Sequence, residues 1–262
     1  MSTFLRGASV EGATIVVAGG NRGIGLAFVT EALARGAAKV YAGVRDLDDV
    51  TPELAATDAE VIPFEVTDAA QVRSAAKHCT DATVLVNVAG LHEKDRLVKC
   101  ADEDAARREM EVNYFAPLTA IRAFAPVIAA NVKDSGANGS IVNVLSVAAI
   151  APTAFMGGYS SSKAAALYLG GIARAELEPD GITVTSLVVG SVDTRMAAHV
   201  QGHKEDPRDI AVAGLKAMQR GDWTADTDRM AFESRARLAL DPVRYERGLG
   251  RLLFVDQLST KA

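Results

Sequence analysis

Cysteine is scarce: Cys79 and Cys100 are the only two in 262 residues. They lie far apart in no metal or redox spacing, so they read as ordinary reduced thiols. A basic excess is missing too, since 28 Lys and Arg stand against 33 Asp and Glu, a net charge of -5. With no basic cluster, no nucleic-acid partner is expected. No apolar run reads as long enough to span a membrane, and residues 1–11 lack the basic-then-apolar order of a signal peptide. The expected compartment is the cytoplasm, with no membrane partner. Metal ligands are equally thin. His199 and His203 are four apart, but no Glu stands between them in the H-E-x-x-H sense and Gly202 weakens a helix there. No metal site is expected. His78 and His92 are isolated; His92 follows the fourth-strand loop and could line the substrate pocket, but a surface position is the expectation.

What is present is a chain 49% hydrophobic, enough for one large core. Apolar runs of strand length alternate with segments of helical period. Strands are expected over residues 13–19, 39–44, 60–66, 83–88, 140–145 and 182–189. Helices are expected over 23–35, 102–131 and 159–178, the second of them bent by Pro117 and Pro126. Asp206 and Pro207 read as the cap and first position of another helix. Such β-α alternation implies an α/β fold, a parallel sheet covered on both faces. With no repeat, low-complexity tract or linker, residues 1–262 read as one domain, with a tail at 1–11 and an extension at 241–262. The apolar patch at 252–255 packs either on the body or on a neighbouring subunit.

After the first strand comes Gly19-Gly20-Asn21-Arg22-Gly23-Ile24-Gly25. Glycines at 19, 23 and 25 permit a tight turn that brings N–H groups to a pyrophosphate at a helix N-terminus. Further on, Tyr159 and Lys163 lie four apart on one helical face. Ser146 closes the strand at 140–145, and Asn113 sits on the long helix. A free tyrosine, with a pKa of about 10, is a weak acid-base group at neutral pH. An ammonium about 5 Å away at an effective dielectric near 20 supplies about 3 kcal/mol, or about two pKa units. Tyr159 could then give a proton to a carbonyl oxygen as hydride arrives, while Ser146 hydrogen-bonds that oxygen.

Asn113, Ser146 and Tyr159-x-x-x-Lys163, with the opening G-x-x-x-G-x-G, resemble the short-chain dehydrogenase/reductase family in order and spacing. The resemblance covers about residues 10–200. Ala18 stands where the family generally has threonine, Val88 replaces the second asparagine of N-N-A-G, and Val189 replaces the proline of P-G-x-x-x-T. The resemblance implies a Rossmann-type, doubly wound parallel sheet of about seven strands. It also implies a cofactor cradle from Gly19, Asn21, Arg22, Gly23, Ile24 and Gly25. Glu65 and Val66 would meet the adenine; Asn87, Ala89 and Gly90 would shape the pocket. Gly190, Val192 and Thr194 would lie near carboxamide and phosphates. Tyr159 and Lys163 would hold the nicotinamide ribose, and Asn113 would serve a water-linked proton relay.

By family alignment Val44 occupies the usual acidic position and Arg45 follows it. With Arg22 this favours the 2′-phosphate of NADP(H), although Asp46 could act as an NAD-type acid. Ala148, Phe155 and Met156 are the expected apolar face of the substrate pocket. The implied activity is NADPH-dependent reduction of a ketone or aldehyde to an alcohol, in the carbonyl-reductase style, by a homodimer or homotetramer joined through its long helices. Two alternatives remain: an NAD(P)-dependent alcohol dehydrogenase working oxidatively, and an NADP-binding sensor without turnover.

Overall fold

The computed structural model describes residues 6–133 and 135–254. Residues 1–5 of the expected tail and 255–262 of the expected extension, Val255 included, lie outside the described residues.

Seven strands form one sheet: β1 (Thr14–Ala18), β2 (Lys39–Val44), β3 (Glu60–Pro63), β4 (Val84–Asn87), β5 (Gly139–Val144), β6 (Ile182–Val188) and β7 (Thr224–Asp226). Their order is β3-β2-β1-β4-β5-β6-β7 and every pairing is parallel. The helices are α1 (Gly23–Ala34), α2 (Pro52–Ala55), α3 (Ala69–His78), α4 (Ala105–Met110), α5 (Ala116–Val132), α6 (Gly157–Leu177), α7 (Pro207–Arg220), α8 (Arg229–Leu240) and α9 (Pro242–Arg251).

The central strands are apolar runs because both of their faces are covered. Along β1 successive side chains alternate, Ile15 and Val17 entering one core, Val16 and Ala18 the other. The first core is closed by α1 and α7 through Phe28, Ile210 and Leu215; the second by α3, α5 and α6 through Val72, Phe124 and Leu169. This is the doubly wound architecture expected. The chain runs outward from β1 to β3 and then returns to β4 on the other side of β1. The crevice beyond the carboxyl ends of β1 and β4 is therefore where such a sheet receives a ligand.

The structure corrects four local expectations. The helix expected over 102–131 is interrupted, and not at its prolines: a π-helical turn at Glu111–Phe115 separates α4 from α5. Pro117 falls in the first turn of α5, where a missing N–H costs nothing, and Pro126 is accommodated inside that helix. The strand expected over 60–66 ends at Pro63 on the sheet edge, where a proline is tolerated. The short β7 was not among the expected segments. Finally, the helical stretch Ala105–Val132, 28 residues with a mean hydropathy of 1.4 in its most apolar window, is long and apolar enough to cross a membrane. Here Ile121, Phe124 and Ile128 are buried against the sheet.

Candidate active site

The glycine turn sits at the carboxyl end of β1. Gly19 and Gly20 donate to the Gly43 carbonyl of β2 at 3.1 and 2.9 Å, fixing the turn to the neighbouring strand. Gly19 and Gly23 have φ values of +93° and +55°, which side chains rarely adopt. A Cβ on Gly25 would lie 1.9 Å from the Gly19 carbonyl oxygen. No side chain caps the N-terminus of α1, so its first N–H groups open onto a cavity of about 760 Å³. Gly19, Arg22, Gly23, Ile24 and Gly25 line that cavity, as do Ala89, Gly90, Gly190, Val192 and Thr194. The Thr194 methyl approaches Gly23 so closely that a Cβ there would meet it at 3.1 Å. An uncapped helix start and glycines at 19, 23 and 25 fit a dinucleotide pyrophosphate.

Asn21, Arg45, Glu65, Val66 and Asn87 do not line this cavity. Asn21 fastens the following loop instead, donating to the Asp49 carbonyl at 2.6 Å and accepting from Thr51 N–H at 2.9 Å. Arg22 pairs with Asp49. Asp46 caps the turn at Leu47–Asp49, accepting from Asp48 N–H at 2.9 Å. Arg45 is exposed at the end of β2. Glu65 accepts from both Thr67 N–H and its hydroxyl, and Val66 follows the end of β3. Asn87 is buried, its amide donating to Asn143 Oδ1 at 2.9 Å and tying β4 to β5.

Ser146, Tyr159 and Lys163 do meet in the cavity. Ser146 follows β5 and accepts from Ala148 N–H at 3.1 Å; its hydroxyl lies close enough to that of Tyr159 to act on its pKa. One turn along α6, Lys163 Nζ donates to the Val144 carbonyl at 3.0 Å and lies 5.7 Å from the Tyr159 ring centroid. Gly90 leaves room here, since a Cβ on it would stand 3.3 Å from Asn113 Oδ1 and 3.4 Å from Lys163 Nζ. The electrostatic expectation needs correction. Burial, not the lysine, dominates: it pushes the Tyr159 hydroxyl up to about 12, Ser146 opposing and the Glu109 charge adding. The same burial pulls Lys163 down to about 8. Tyr159 is thus held protonated beside a second hydroxyl. A carbonyl oxygen seated between them would meet one proton donor and one further hydrogen bond.

Asn113 is buried on the π turn. Its Oδ1 accepts from Leu91 N–H at 2.9 Å, and its Nδ2 donates to the Leu91 carbonyl at 2.8 Å and to Ser162 Oγ at 2.9 Å. It clamps the loop after β4 onto α6. Of the expected substrate face, Met156 lines the cavity, whereas Ala148 lines a separate apolar cavity of about 700 Å³ beside it and Phe155 is exposed. Glu109 and Asp228 escaped the sequence reading, and His92 was expected at the surface. His92 is not a surface residue: its ring lies 5.0 Å from that of Tyr159 between centroids, and its Nε2 is buried. Glu109 is buried on α4 and accepts from Glu93 N–H at 2.8 Å. Asp228 is buried behind the loop after β6 and accepts from Gly190 N–H at 2.7 Å.

A family model described as short chain dehydrogenase matches residues 13–205. The chain is 35% identical over 192 residues to short-chain dehydrogenase ptmH of Penicillium ochrochloron, covering 71% of this chain and 68% of that one. It is 33% identical over 214 residues to a 3-alpha-(or 20-beta)-hydroxysteroid dehydrogenase of Mycobacterium tuberculosis, covering 78% and 76%. Some matched proteins are longer, and the chain spans about half the length of a Penicillium crustosum short-chain dehydrogenase, 52% of which is matched. Among solved structures, a short chain dehydrogenase from Burkholderia cenocepacia in complex with NADP superposes with a TM-score of 0.83 at 38% identity, over 92% of this chain and 98% of that one.

Proposed function

The chain belongs to the short-chain dehydrogenase family, and from that premise we propose that it is a cytoplasmic enzyme reducing a ketone or aldehyde to an alcohol with NADPH. The observation that carries this reading is the meeting of Tyr159, Ser146 and Lys163 in the cavity onto which the glycine turn opens. A reduced nicotinamide, when bound, supplies the hydride. Tyr159 donates the proton to the carbonyl oxygen, and Ser146 hydrogen-bonds that oxygen as it gains charge. Lys163 holds the ribose and places a positive charge on the Tyr159 side of the cavity. Asn113 fixes the loop after β4 that forms one wall.

NADP is favoured over NAD by charge. Arg22 and Arg45 flank the end of β2, and Asp46 is engaged in its own turn. The Arg22–Asp49 pair is half exposed, so it is worth little and yields readily to a nearly dianionic phosphate. The Burkholderia relative with NADP bound supports the same choice. Tyr159→Phe should lower kcat for ketone reduction by about 10²–10⁴-fold, followed as NADPH absorbance, with NADPH binding retained. Full activity in that variant would overturn the assignment, and a lower KM for NADH than for NADPH would overturn the cofactor choice.

A further inference from the structure

We infer that His92 reads the substrate: its imidazole turns its unpartnered Nε2 into the cavity to hydrogen-bond a second oxygen close to the reacting carbonyl, so the preferred substrates are 1,2- and 1,3-dioxygenated ketones. This rests on the reductase reading above. The His92 ring lines the cavity beside Tyr159, tilted 45° to it with centroids 5.0 Å apart. Its Nε2 is buried and finds no hydrogen-bond partner among the described residues. The neighbouring His199 ring, 6.5 Å away, makes a ring contact only. A buried ring nitrogen without a partner is costly, and such groups persist where a ligand completes them.

The placement of His92 is built from both flanks. Asn113 takes the Leu91 N–H and carbonyl, and Glu109 takes the Glu93 N–H. These two buried side chains stand four residues apart across the junction of α4 and the π turn. The backbone on either side of His92 is therefore pinned to one helical stretch beside the proton donor, and only the ring has to turn. Met156, Leu91 and Val200 give the cavity apolar walls, while Ser191 and His199 also line it. Burial and the neighbouring His199 keep the imidazole uncharged. An uncharged imidazole serves a carbonyl as donor or a hydroxyl as acceptor, according to its tautomer. A site built to hydrogen-bond such an oxygen rejects the analogue lacking it.

The test compares 2,3- and 2,4-pentanedione with 2-pentanone. In His92→Phe the ratio of kcat/KM for either dione to that for 2-pentanone should fall about tenfold, the scale of one neutral hydrogen bond, and His92→Gln should recover part of it. Equal losses on all three ketones, or none, would overturn the inference and leave the reductase reading standing. The second readout needs no turnover: the His92 imidazole ¹⁵N resonances, observed in the NADP⁺ complex, should shift with the diones and not with 2-pentanone. If the wild type reduces none of the three while those resonances respond to the diones alone, the reductase reading falls and the role of His92 stands. An absent or identical response overturns that role.

Discussion

Burial draws the Lys163 ammonium down to about 8 from its ordinary 10.5, with the Val144 carbonyl as its hydrogen-bond acceptor at 3.0 Å. Between those two values the unfolded chain binds more protons than the folded one. Stability therefore rises with pH across that window, and below about 8 the folded state bears the whole penalty. Replacing a buried charge by an apolar side chain of similar length removes the penalty at its source. Lys163→Met should stabilise the ligand-free protein by about 1–3 kcal/mol at pH 7, the gain fading toward pH 10.5, as urea unfolding at the two pH values would show. A destabilised variant at pH 7 would reject this account. The four-residue spacing of Tyr159 and Lys163 was legible in the sequence; the burial of both was not. That is why the expected lowering of the tyrosine became a rise. His92 was misread for a related cause. Nothing local in its sequence tells that Asn113 and Glu109, seventeen or more residues on, pin the backbone around it.

At the scale of elements, the strands with sustained apolar runs were legible because burial on both faces leaves a continuous signal. β7 has three residues and carries none. Its neighbourhood nevertheless shapes the site through Asp228, which leads into α8. One carboxylate there performs three tasks: it accepts from Gly190 N–H at 2.7 Å, from the Thr227 hydroxyl at 3.0 Å, and from Ala231 N–H at 3.0 Å as the cap of α8. Only the cap pattern is local in sequence; the bond to Gly190 spans 38 residues. Asp228→Ala loses a cap and leaves a part-buried N–H without its acceptor. It should cost about 2–4 kcal/mol and raise the KM for NADPH, because the loop from Gly190 to Thr194 lines the cavity. Thermal melting and cofactor titration check the two parts, and an unchanged KM would separate the loop from Asp228. The π turn at Glu111–Phe115 was equally hidden: a wide turn keeps the apolar periodicity of the helix around it while re-aiming Asn113 at the loop after β4.

For the whole molecule, the outer surface of α6 bears on how many copies assemble. Its inner face carries Tyr159, Lys163 and Leu169 into the site and core. Its outer face leaves Tyr168 76% and Ile172 57% exposed, four residues apart on one stripe, and Phe115, at the end of the π turn, is 44% exposed. Gly171 between them has open space where a Cβ would stand, which lets a second backbone approach closely. A helix packing against its own copy about a two-fold axis buries the same stripe twice, so each substitution counts twice. Wild-type protein should sediment as a dimer or tetramer at micromolar concentration. Tyr168→Lys with Ile172→Lys places four like charges across that axis and should shift the chain to monomer in sedimentation velocity. A wild type that sediments as a monomer, or a double variant that keeps the wild-type mass, would remove α6 from the interface.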